Sequence, residues 1–136
     1  FNLLMFYSFG SQIEARSTPL KYLFLILAIA AISNTGEFLW DLWWTRQEVG
    51  FSHPITFGGM SGVVYGLFGF IWMKALFEPQ ERYLLSQQQV LILLVWLVIC
   101  MLGMMGNIAN AAHAVGLLAG CAFGYAPTFW RNLTRR

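Results

Sequence analysis

Ser61 and His113 are the two residues whose types could together carry out covalent catalysis. Ser61 stands in Phe57-Gly58-Gly59-Met60-Ser61-Gly62-Val63-Val64-Tyr65-Gly66-Leu67, a lone hydroxyl among glycines at the mouth of an apolar segment. His113 lies inside an apolar run, Asn110-Ala111-Ala112-His113-Ala114-Val115-Gly116-Leu117-Leu118-Ala119-Gly120. An imidazole beside a serine can take the hydroxyl proton during attack on a carbonyl and return it to the leaving amine, a role typically worth about 10² to 10⁴ in rate.

Other groups could complete such a site. Tyr65 is one helical turn after Ser61, where its ring could hold the imidazole from the side or serve as an interfacial aromatic. Free backbone N–H groups in the helical turn around Ser61 could receive an oxyanion, and the Asn2 amide, in an otherwise apolar stretch, could add a donor or act as a packing polar group. No Asp or Glu falls within the well-defined helices read below, so a Ser-His dyad fits better than a triad.

The same residues have plainer readings. Gly59, Gly62 and Gly66 in one segment, and Gly116, Gly120 and Gly124 in the other, fit small-residue faces that let membrane helices approach closely. Two smooth faces imply that the helices pack on each other, which brings Ser61 and His113 within reach. A histidine inside an apolar helix is costly and marks a functional position.

The elements that hold these residues are membrane helices. Of 136 residues 58% are hydrophobic and only 10% charged, far from the balance of a soluble domain. Several apolar runs reach the roughly 18 residues needed to cross a hydrocarbon core of about 30 Å. The fold class expected is an all-α, polytopic transmembrane bundle, with helices over about 1–13, 20–36, 58–76, 88–103 and 109–130. The first begins abruptly inside an apolar run, as a helix does whose earlier part is missing. Trp40, Trp43 and Trp44 suit the headgroup level, and residues 41–54 read as a loop outside the hydrocarbon, carrying Glu48 and a solvated His53.

Orientation follows from the cations. Arg16 with Lys21, Lys74 with Arg82, and Arg131 with Arg135 and Arg136 mark one side as cytoplasmic. The segments bearing Ser61 and His113 then both enter from the outer face, each residue within roughly 5 Å of its helix start at about 1.5 Å per residue. A net charge of +2 argues against nucleic-acid binding. Cys100 and Cys121 read as buried thiols, and Glu37, Asp41 and Glu48 lack metal-ligand grouping, so no metal and no cofactor are expected.

These residues resemble the rhomboid intramembrane serine proteases, most closely the GlpG-type bacterial members. Gly59-Met60-Ser61-Gly62 is similar to that family's GxSG, Ala112-His113-Ala114-Val115-Gly116 through Gly120 to its AHxxGxxxG helix, and Glu14-Ala15-Arg16 to its ExR. The resemblance implies Ser61 as nucleophile, His113 as general base and acid, and Tyr65 as the ring packed on the imidazole. It also implies Asn2 as the oxyanion amide of an HxxxN motif, with Phe1, Trp96 and Met60 near the substrate access gap. The histidine of that motif would lie four residues before Asn2, so activity is expected of a complete protein rather than of this stretch alone.

The fold implied is a six-helix core, present here as one partial and four complete helices, a partial rhomboid membrane domain over 1–136. The partners implied are single-pass transmembrane substrates and membrane lipid. The location implied is the bacterial inner membrane, with the site opening to the periplasm. A catalytically inactive, client-binding relative is the alternative, and a transport subunit a third reading that polar groups near one face disfavour.

Overall fold

The computed structural model describes residues 1–48, 59–103 and 110–134, with side chains for all of these except 44–48. The expectations for His53, for the helix starts near 58 and 109, and for Arg135 and Arg136 lie outside the described residues. Among the described residues five α-helices carry the fold: α1 (Asn2–Glu14), α2 (Pro19–Glu48), α3 (Met60–Phe77), α4 (Gln87–Met101) and α5 (Asn110–Thr134). A 3₁₀ turn, Pro79–Glu81, links α3 to α4. Two helical stretches, Pro19–Trp43 and Met60–Phe77, are long and apolar enough to cross a membrane, and Gln87–Met101 is apolar but shorter. The chain is an all-α, polytopic membrane bundle with large apolar side chains such as Leu3, Leu20, Leu91 and Leu118 pointing outward.

The largest departure from expectation is α2. Its end was expected near residue 36, with the Trp-rich stretch as interfacial loop, yet the helix runs unbroken to Glu48. Asn34-Thr35-Gly36 resembles a stop signal, but no proline follows until Pro54, and Gly36 is used for close packing instead. A Cβ on Gly36 would come within 2.9 Å of the Val115 methyls on α5. Glu37 and Asp41, expected in a loop, are therefore helical.

Packing centres on α3. The Gly62 carbonyl lies against Gly116, the Gly66 carbonyl against Gly120, and the Phe70 carbonyl 2.6 Å from where a Cβ on Gly124 would stand. Both numbers rise by four at each step, so α3 and α5 run parallel, backbone to backbone. Antiparallel α2 covers both, with Ser33 against Gly62 and Ile29 against Gly66. Opposite them α1 seats Phe9 and Ile13 in a core with Val64, Leu67, Phe68 and Ile71. Gly59 is the extended N-cap of α3, and a Cβ there would meet nothing within 4 Å among the described residues.

The other end of the bundle is polar and tied. Arg16 donates to the carbonyls of Glu81 at 2.8 Å and Arg82 at 2.9 Å, and its guanidinium lies 4.8 Å from the Tyr83 ring centroid. Gln12 exchanges hydrogen bonds with both backbone groups of Leu84. Buried Glu78 joins Lys74, Thr128 and Arg131, linking the ends of α3 and α5. Of the basic residues expected to share a side, Arg16, Lys74, Arg82 and Arg131 meet at this end. Ser86 then starts α4 with a reciprocal capping box to Gln89.

Candidate active site

Ser61 is the second residue of α3 and His113 the fourth of α5. Parallel packing puts both helix starts at one end, and the glycine contacts bring the axes close enough for short side chains to meet. His113 Nε2 lies 2.7 Å from Ser61 Oγ, a hydrogen bond whose direction depends on the tautomer. His113 is only 3% exposed, and its Nδ1 has no hydrogen-bond partner among the described residues.

Tyr65 stands one turn below Ser61. Its ring centroid is 5.0 Å from that of His113, with planes tilted by 38°, so the imidazole is backed by an aromatic surface. Its hydroxyl donates 2.9 Å to the carbonyl of Leu93 on α4. Ring and hydroxyl thus link the histidine helix to α4.

Beside the pair opens a cavity of about 790 Å³ between α1, α3, α4 and α5. Ser61, Tyr65 and His113 form part of its wall, Asn2 and Phe1 enter from α1, and Trp96 and Cys100 from α4. Met60 is 44% exposed and lies outside that wall, unlike Phe1 and Trp96 with which it was grouped. Cys100 is buried, Cys121 only half-buried, and both are free thiols. Among the described residues no His, Cys, Asp and Glu side chains group in a way that could hold a metal ion.

One residue escaped the reading of the sequence. Glu37 is 3% exposed, and its Oε2 accepts the Ala112 N–H at 2.7 Å, directly before His113. A signal for it was present, since Ile29, Ser33 and Glu37 recur every four residues and so share one face of a helix.

The geometry is that of a serine and a histidine at the mouths of two parallel, glycine-packed helices, facing an apolar cavity. The rhomboid-domain family model matches residues 1–128 of the chain. Proteins named rhomboid protease GlpG from Salmonella paratyphi A (strain ATCC 9150 / SARB42) and Salmonella choleraesuis (strain SC-B67) are 32% identical over 129 residues, covering 94% of this chain and 42% of each relative. The chain thus spans about two fifths of the length of these relatives. On the match across nearly all of its length, the chain belongs to the rhomboid family.

Proposed function

We propose that the protein carrying this chain is an intramembrane serine endopeptidase that cleaves transmembrane segments of membrane proteins near the outer face. The observation that carries this reading is the 2.7 Å approach of His113 Nε2 to Ser61 Oγ at the wall of the cavity. Ser61 Oγ attacks the peptide carbonyl while His113 takes its proton. The oxyanion is received by first-turn backbone N–H groups, Ser61's own among them, and by the Asn2 amide. His113 protonates the amine as the C–N bond breaks. Water, deprotonated by His113, then cleaves the acyl-enzyme and releases the carboxyl product. Tyr65 keeps the imidazole facing Ser61 throughout.

Single-pass membrane proteins are the substrates that fit an apolar cavity walled by Phe1 and Trp96, with surrounding lipid as the medium. The location proposed is a bacterial inner membrane, with the Ser61 end toward the periplasm and the basic end toward the cytoplasm. The test is cleavage of a model transmembrane substrate by the complete protein in membranes, beside its Ser61→Ala and His113→Ala variants. Both variants should lose cleavage while remaining folded, and Ser61→Ala should lose fluorophosphonate labelling. Normal cutting by either variant rejects the dyad. Absence of cleavage and labelling in the wild-type protein favours a client-binding relative instead.

A further inference from the structure

We infer that Glu37 is a positioning residue for His113, holding the first turn of α5 in register with Ser61 through its hydrogen bond to the Ala112 N–H. This role rests on the serine-protease reading above. The first-turn amides of a helix have no partner inside it and are commonly served by an oxygen on the residue just before the helix. Here a carboxyl oxygen from α2, 75 residues away in sequence, accepts the Ala112 amide at 2.7 Å in a buried setting.

The placement of α2 gives this bond leverage. Gly36, beside Glu37, packs on Val115, while Ser33, one turn earlier, packs on Gly62. One helix therefore touches α5 on both sides of His113 and α3 immediately after Ser61. The Ser61–His113 distance depends on how α2 seats both, in addition to the direct glycine contacts between α3 and α5. Releasing the Ala112 amide frees the end of α5 that carries the base. A misplacement of about 1 Å at a reacting pair can cost about 10²-fold in rate.

The test compares Glu37→Gln, Glu37→Asp and Glu37→Ala in the complete protein, reading the rate of fluorophosphonate labelling at Ser61 per folded molecule and the kcat and KM for a transmembrane substrate. Gln presents an oxygen at the same reach and should label within a few-fold of wild type. Asp draws the oxygen back by one carbon and Ala removes it, so both should label about 10²-fold more slowly, with kcat falling and KM unchanged. Thr128→Val, which removes a buried hydrogen bond at the far end of α5, should lower thermal stability without slowing labelling per folded molecule.

Wild-type labelling in folded Glu37→Asp or Glu37→Ala overturns the role, as does a Gln variant as slow as Asp. If Glu37→Ala does not fold, the Gln and Asp pair decides. Amide exchange at Ala112 reads the bond independently of any chemistry: faster exchange in Glu37→Asp than in Glu37→Gln is expected, and equal rates overturn the inference. Failure of the protease reading shows separately, as absence of Ser61-dependent labelling in the wild-type protein.

Discussion

The carbonyl group of Gly66 occupies the place where a Cβ on Gly120 would stand. The same relation holds one turn earlier between Gly62 and Gly116. A side chain at either position of α5 must push that helix away from α3, and the pair at its mouth separates with it.

Gly120→Ala should therefore destabilise the bundle by about 1–3 kcal/mol, the usual cost of overpacking, or more because the obstructing atoms are backbone. Thermal unfolding in detergent measures this, and labelling of Ser61 should slow in parallel. A Gly120→Ala protein with unchanged melting and labelling is incompatible with this packing.

Tyr65 separates two contributions within one side chain. Tyr65→Phe removes the hydroxyl bonded to Leu93 and should cost about 1 kcal/mol, while its ring still backs His113 and labelling persists. Tyr65→Ala empties a buried ring site at a cost on the order of 3–5 kcal/mol and leaves the imidazole unsupported, so labelling should fall. Equal labelling in both variants would show that the ring does not position His113.

Arg16 links α1 to the turn before α4 by donating to the carbonyls of Gln12, Glu81 and Arg82. A lysine has a single ammonium and cannot reproduce the planar fork that spans these carbonyls. Arg16→Lys should lower stability by about 1 kcal/mol, small because the bonds are exposed. The melting temperature of the variant checks this. No loss would mean the clamp contributes nothing measurable.

Much of this architecture is legible in residue types, because glycine spacing on two apolar segments admits few packings. Ser61 and His113 stand where two smooth faces begin, so their meeting follows from the helices having to touch. What was not legible is the continuation of α2 and the partner of Glu37, whose place on one helical face with Ile29 and Ser33 was only a faint sign of burial. Asn34, Thr35 and Gly36 have weak helix propensity, and local propensity gave no sign that Val115 would press on Gly36. A carboxyl in Trp-rich sequence looks solvated until its partner is known, and that partner, the Ala112 amide, is a backbone group invisible to any reading of side chains.

Glu78 gives the bundle a predictable response to acid. It is 1% exposed and bonded to Lys74 at 2.8 Å, to Thr128 at 2.7 Å and to Arg131. Burial by itself would raise its carboxyl pKa, but the hydrogen bonds with Glu81, Lys74, Thr128 and Arg131 outweigh burial and hold it well below the usual carboxylate range. The folded state therefore keeps Glu78 charged where the unfolded chain has begun to bind a proton. Its stabilisation is fully present above the unfolded value of about 4.3 and is lost as pH falls below it. Glu81 shifts the other way, raised by burial and by the neighbouring Glu78, so its contribution is present below that value and fades as pH rises. Subtracting the melting curve of Glu78→Gln from that of the wild-type protein reads the effect of Glu78 together with the part of the Glu81 shift that Glu78 causes. At neutral pH the variant should lose about 3 kcal/mol, the low end for breaking a buried pair, because Glu81 still reaches Lys74 at 3.2 Å. Between about pH 5 and pH 3 the wild-type melting temperature should fall toward that of the variant, and parallel curves would show that Glu78 does not hold its charge through this network.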